Sequence, residues 1–163
     1  MDLKIKLLEP KAVMPKYAHI TDAGFDLTAI SKETIYDHDI VNVTYGTGIA
    51  VEIPEGYVGL IFPRSSIHKQ NLSLSNCVGV IDSGYRGEIK FIFRYTERSK
   101  DISFLFNQET HKLPTDIDFS FTYNVGDRIG QMVIVPYMHC KLKKVDTLNE
   151  SDRGEGGFGS TGK

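Results

Sequence analysis

Apolar residues recur at every second position along much of this chain, and that period constrains its fold more than any other feature. Leu3, Ile5 and Leu7 alternate with Lys4 and Lys6, and Ile49, Val51 and Ile53 alternate with Ala50 and Glu52, as in strands with one buried face. No helical period is sustained over several turns, so the chain reads as mostly β. Turn chemistry separates the apolar runs at Pro54-Glu55-Gly56, Ser83-Gly84 and Asn124-Val125-Gly126-Asp127. A β-barrel or compact sandwich follows. One short helix is predicted over residues 67–71, capped by Ser65 or Ser66. From Thr96 to Asn124, polar stretches interleave with Phe104, Phe106, Phe119, Phe121 and Tyr123, and the alternation from Ile117 to Tyr123 predicts a hairpin-like insertion. There is no internal repeat and no sign of a second domain.

Composition narrows the function classes. A chain of 163 residues is one ordinary domain, able to remove about 70% of its unfolded surface from water. Cys77 and Cys140 lie in apolar surroundings without framework spacing. No apolar N-terminal stretch resembles a signal peptide or membrane span, so free thiols in a cytoplasmic, non-secreted setting are expected. A formal charge of −2 and a pI near 6.2 argue against the broad basic surface that polymeric nucleic acid demands, and nothing suggests a membrane partner. An anionic ligand would be met by local Arg and Lys. The five histidines are scattered outside any H-x-x-x-H or Cys/His pattern, so no protein-caged transition metal is expected.

Several segments carry possible chemistry, each with a plainer alternative. Asp82, inside the apolar run CVGVIDSGYRGEIKFIF that is expected to fold back as a hairpin, either caps the turn or is a partly buried general base for a water. Tyr85 is either a surface aromatic or a platform for a sugar. PRSSIHK brings Arg64, Ser65 and Ser66 together, either to hold a phosphate chain or merely to cap a helix. In DAGFDL, Asp26 either reaches a hydrated Mg²⁺ or closes a turn. In GDRIGQMVIVP, Gln131 enters an apolar run and must find a partner or face a cavity. The last eleven residues, RGEGGFGSTGK, hold five glycines. With Arg153, Phe158 and Lys163 they either form a disordered end or fold over a nucleotide. Gly157 to Lys163 spells G-x-x-x-x-G-K but lacks the hydroxyl residue and helix that a P-loop needs.

Taken together and in order, DAGFDL, PRSS, NCVGVIDSGYRGE, GDRIGQ and RGEGGFG resemble the five motifs of the trimeric dUTPase family, over nearly the whole chain. The resemblance implies a distorted jelly-roll, β-barrel-like all-β fold with one short helix, a domain over residues 1–152 that includes the 96–124 insertion, and a flexible lid over 153–163. It implies a homotrimer whose active sites are each assembled from three chains. It also implies Mg²⁺-dependent hydrolysis of dUTP to dUMP and pyrophosphate, which limits uracil incorporation into DNA and supplies dUMP for dTMP synthesis. By the same resemblance Asp82 activates the water that attacks the α-phosphate, Tyr85 packs under the deoxyribose, and Asn76, Gly79, Val80, Ile81 and the main chain at Lys90 read the uracil. Arg64, Ser65, Ser66 and Gln131 hold phosphates, Asp26 meets Mg²⁺ through water, and Arg153, Phe158 and Gly159 close over the nucleotide. The insertion is a possible site for a protein partner. The chain also resembles dCTP deaminase in its RSS and I-D-x-G segments, but the RGEGGFG tail and Tyr85 favour pyrophosphohydrolysis.

Overall fold

The computed structural model describes residues 1–37, 40–96 and 119–157. Its strands are β1 (Lys4–Leu7), β2 (Gly24–Thr28), β3 (Ser31–Asp37), β4 (Ile40–Gly46), β5 (Ile49–Glu52), β6 (Tyr57–Pro63), β7 (Leu72–Leu74), β8 (Gly79–Ile81), β9 (Lys90–Tyr95) and β10 (Arg128–Pro136). They form one four-stranded sheet in the order β2-β10-β6-β8, a second in the order β3-β4-β9-β7, and a two-stranded ribbon of β1 with β5. Every strand pairing among the described residues is antiparallel. The fold is all-β, as the alternation implies, in the jelly-roll-like arrangement that the family resemblance implies.

Alternation becomes burial in each sheet. Val43 and Tyr45 of β4 and Phe91 and Phe93 of β9 turn inward, against Phe25 and Leu27 of β2, Ile61 of β6, and Ile129 and Met132 of β10. Each such side chain contributes about 1.5–3 kcal/mol by leaving water. Aromatic rings set the geometry at the centre: Phe91 stacks on Phe93 at 6.0 Å, and Tyr45 meets Phe93 edge-on at 5.8 Å. A register shift between Arg128 and Gly130 leaves both Ile129 and Gly130 buried, as a β-bulge does. The three predicted turns are present. Tyr57 N–H donates to Pro54, Tyr85 N–H to Asp82 and Asp127 N–H to Asn124, with Gly56 and Gly126 at φ 83° and 97°.

Four expectations are corrected. The helix is a 3₁₀ segment over Ser65–Lys69, with Arg64 at its N-cap and no side-chain cap hydrogen bond; Asn71 lies beyond it, bonded through its main chain to Phe121 and Thr96. Cys77 and Cys140 are exposed, not apolar-packed, because Cys77 occupies a tight turn at φ 61° and Cys140 follows the last strand. The run from Cys77 to Phe93 is not a paired hairpin: β8 joins β6 in the first sheet, whereas β9 joins β4 and β7 in the second. Finally, Phe119–Phe121 is a 3₁₀ turn rather than strand, and residues 97–118 of the insertion lie outside the described residues.

A β-carbon on Gly130 would meet the Phe91 ring and come within 2.8 Å of the Phe62 carbonyl oxygen. Gly130→Ala is expected to destabilise the fold by about 1–3 kcal/mol through overpacking. Equilibrium denaturant unfolding at fixed protein concentration checks this, with Phe91→Leu restoring part of the loss in the double variant.

Candidate active site

Register brings three outward-facing residues into line across the first sheet. Gln131 of β10 stands opposite Asp26 of β2 on one side and Phe62 of β6 on the other, and directly paired residues share a face. Arg64 follows two residues after Phe62. Its Nε lies 2.9 Å from Asp26 Oδ1, while Arg128 Nη1 donates to Asp26 Oδ2 at 2.8 Å. Asp26 is thus held between two guanidiniums, its side chain only 15% exposed against 30% for Arg64 and 50% for Arg128. One carboxylate with two guanidiniums leaves net positive charge at the sheet surface. Gln131 completes the line over Gly24, where a β-carbon would stand 2.8 Å from its Oε1. Ser65 is exposed, and half-buried Ser66 has its Oγ 3.1 Å from the Tyr123 hydroxyl. Arg128 is the residue that motif reading missed: it lies in GDRIGQ beside Gln131, and its charge at the start of an apolar strand was the available signal.

A second group gathers where the two sheets part. Val80, Ile81, Asp82, Tyr85, Glu88 and Lys90 line an open cleft of about 450 Å³. The Tyr85 hydroxyl donates to the Glu88 carbonyl at 3.0 Å, and the Tyr85 ring lies so close over Gly87 that a β-carbon there would meet it. Glu88 ties the cleft to the neighbouring loop: Gly48 N–H donates to its Oε1 at 2.9 Å, and Lys90 Nζ lies 3.3 Å from its Oε2. Exposed Asn76 and buried Gly79 flank the Cys77 turn, in which Val78 N–H donates to the Asn76 carbonyl. Asp82 closes its turn through its main-chain carbonyl, not its carboxylate. Expected to be partly buried, it is exposed in the single subunit, because β8 and β9 diverge around it.

The two groups do not meet within one chain. Gly59 pairs with Ile81 and Ile61 with Gly79, so Asp82 falls opposite the start of β6, whereas Arg64 follows its end. Six residues of strand separate them, about 20 Å. Arg153 belongs to neither group; its Nε donates to the Gly156 carbonyl at 2.8 Å in an exposed turn. Phe158 and Gly159 lie outside the described residues. No group of three His, Cys, Asp or Glu side chains suited to a metal occurs among the described residues.

An all-β protein that offers an anion two guanidiniums and, on a separate edge, a free carboxylate beside an aromatic cleft is equipped to handle a phosphorylated nucleoside. Comparison with known proteins narrows this. The family model for dUTPase matches residues 10–104 and 116–162. A deoxyuridine 5'-triphosphate nucleotidohydrolase from Picosynechococcus sp. is 40% identical over 163 residues, covering 99% of each sequence. Among solved structures, the Staphylococcus bacteriophage 80alpha dUTPase with dUPNHPP is similar with a TM-score of 0.74 and 31% identity, over 99% of this chain and 98% of that one. A mutant dUTPase from phage phi11 of S. aureus, whose structure reveals the coordination of a structural Mg(II) ion, gives a TM-score of 0.69 at 30% identity, over 92% of this chain and 100% of that one. The chain belongs to the dUTPase family.

Asp26→Asn would leave Arg64 and Arg128 close together without their shared anion. The variant is expected to lose about 1–3 kcal/mol of stability, less than a fully buried pair because both guanidiniums reach solvent. Denaturant unfolding beside an Asp26→Asn/Arg128→Ala double variant checks it: removing one cation should recover part of the loss.

Proposed function

We infer that the chain is a dUTP diphosphatase, hydrolysing dUTP to dUMP and pyrophosphate. The observation that carries this reading is the full-length match to the dUTPase family, joined to the two residue groups at opposite ends of β6. The Asp82 carboxylate takes a proton from a water whose oxygen attacks the α-phosphorus. The bond from that phosphorus to the α–β bridging oxygen breaks, and pyrophosphate leaves with the electron pair. Such a positioned base contributes about 10²–10⁴ in rate. Tyr85, pinned through its hydroxyl, offers its ring face to the deoxyribose and leaves no partner for a 2′-hydroxyl. Asn76, Gly79, Val80 and Ile81, with the main chain at Lys90, read the uracil edge.

Arg64, Ser65, Ser66 and Gln131 hold the phosphates, with Arg128 supporting Arg64 through Asp26. Asp26 Oδ2 accepts from Arg128 Nη1 and Oδ1 is ion-paired with Arg64 Nε at 2.9 Å, so the carboxylate keeps further lone pairs. That fits a carboxylate accepting hydrogen bonds from the waters of a phosphate-bound Mg²⁺. Magnesium bound there would neutralise charge on the leaving pyrophosphate. Residues 153–163 act as a lid over the 1–152 domain, with Arg153 on the phosphate end, Phe158 over the uracil and Gly159 allowing close approach.

The active unit is a homotrimer. A base must come within hydrogen-bond reach, directly or through one water, of the group it acts on, and about 20 Å of strand separates Asp82 from Arg64 within one subunit. A second copy supplies the missing half. After β10 the chain runs exposed, with Met138, Leu142 and Leu148 at 88%, 93% and 88% exposure, an apolar load that another copy would cover. The exposed free thiols support a cytoplasmic setting, and the 96–124 insertion remains the candidate seat for a protein partner.

Asp82→Asn is expected to lower turnover at least about 10²-fold while keeping nucleotide binding; pyrophosphate release measured beside calorimetric binding checks it. The shared site is tested by complementation. Asp82→Asn and Arg64→Ala, each inactive alone, are unfolded together in equal amounts and refolded. About three-quarters of the resulting trimers hold both variants, each with one complete site in three, so about one-quarter of wild-type activity should return. No recovery in correctly assembled mixed trimers would sink the shared site.

A further inference from the structure

The Tyr123 hydroxyl belongs to neither residue group, yet it is buried directly behind the phosphate segment. Tyr123 is 4% exposed and its Oη lies 3.1 Å from Ser66 Oγ. Its position is over-determined. Tyr45, itself fully buried, donates through its hydroxyl to the Tyr123 carbonyl at 2.9 Å. The Tyr123 ring meets Tyr45 edge-on at 6.3 Å and Phe93 at 6.0 Å. The preceding residues are strapped down as well: Asn71 N–H donates to the Phe121 carbonyl at 2.7 Å, and Lys32 Nζ donates to Thr122 Oγ1 at 2.8 Å. Ser66, by contrast, is half-buried in a 3₁₀ helix of five residues with no side-chain cap.

The direction of the bond follows from donor accounting. A phenol carries one hydrogen, and a serine hydroxyl carries one hydrogen and two lone pairs. Had Ser66 donated, the Tyr123 hydrogen would be buried without an acceptor among the described residues, at full desolvation cost. With Tyr123 donating, its hydrogen is used and the Ser66 hydrogen is left for a different acceptor. Burial pushes the Tyr123 phenol up, with Ser66 and the Arg64 guanidinium pulling the other way, so the phenol keeps its hydrogen at neutral pH.

We propose that Tyr123 is a positioning residue for the phosphate segment: its hydroxyl donates to Ser66 Oγ and thereby turns the Ser66 hydrogen outward, toward a phosphate oxygen of the substrate. Without Tyr123 Oη, the Ser66 hydroxyl is free to turn inward and donate to its own backbone. The proposal rests on the dUTP reading above and deepens it for one group of the site.

The test is a double-mutant cycle with Tyr123→Phe and Ser66→Ala, reading kcat and KM for dUTP together with thermal melting. Phenylalanine fills the same space, so the core stays packed. Tyr123→Phe is expected to lower kcat/KM about 3–10-fold, the size of one neutral hydrogen bond, because Ser66 can still reach the phosphate part of the time. Ser66→Ala should lower it at least as much, and the double variant no further than Ser66→Ala alone. A purely structural Tyr123 would lower the melting temperature and leave kcat/KM unchanged, which overturns the proposal. Full additivity of the two losses overturns it too, because Tyr123 would then act by a route other than Ser66. An unimpaired Ser66→Ala also removes it. A wild-type protein that releases no pyrophosphate from dUTP overturns the functional reading and this inference together, whereas normal wild-type turnover with an unimpaired Tyr123→Phe overturns the inference alone.

Discussion

The pairing of β6 on both of its edges is the constraint on which the rest of the structure depends. With β10 on one side and β8 on the other, Tyr57–Pro63 fixes where both residue groups can lie. The β10 pairing carries Gln131 and, one strand further, Asp26 to the end of β6 from which Arg64 emerges. The β8 pairing delivers Asp82 to the opposite end. An extended strand shortens only by leaving the ladder and exposing main-chain donors and acceptors. The separation of Asp82 from Arg64 is therefore as rigid as the sheet.

At the Arg64 end, charge is organised by the chain itself. Arg64 alone would be a long side chain with many rotamers, and ordering it on a ligand would cost entropy. Asp26 holds it by Nε, which leaves the remaining guanidinium N–H groups for an incoming anion. Arg128 then offsets the carboxylate, so the cluster stays cationic. The Tyr85 end is organised by a different means: a hydroxyl-to-carbonyl bond over Gly87, with Glu88 bracing Lys90 and the Gly48 loop. Neither arrangement relies on a helix, and both are set by residues within or next to strands.

Much of this was legible in sequence. Alternation of apolar and polar residues is a local consequence of the pleat, so the all-β class and the turns at Gly56, Ser83-Gly84 and Gly126 could be read directly. Strand partnership is not local. The run through Asp82 looks like a hairpin because its two apolar arms flank a turn, yet each arm finds a better edge in a different sheet. The same limit made both cysteines look apolar-packed and left unread that Asp82 is exposed in the single subunit. Arg128 was missed because a charge at a strand start is ordinary until its register partner is known. The contact between the Ser66 and Tyr123 hydroxyls could not be read at all, since the two residues lie 57 positions apart.

The exposure of Asp82 and of the segment after β10 describes one physical situation from two sides. A carboxylate open to bulk water cannot hold a single attacking water in a fixed line, because each neighbour exchanges freely. A segment carrying Met138, Leu142 and Leu148 in water gains by covering them against another surface. In the proposed homotrimer, assembly would meet both needs at once: a neighbouring subunit that brought Arg64, Asp26 and Gln131 to the Asp82 cleft would also narrow the solvent around it. The energy that drives association is then apolar burial, while the consequence for chemistry is polar, the replacement of bulk water by fixed guanidinium and amide donors. On the reading proposed above, catalytic competence is a property of the interface rather than of the fold alone. Substitutions that weaken association will lower activity even where every catalytic side chain is intact.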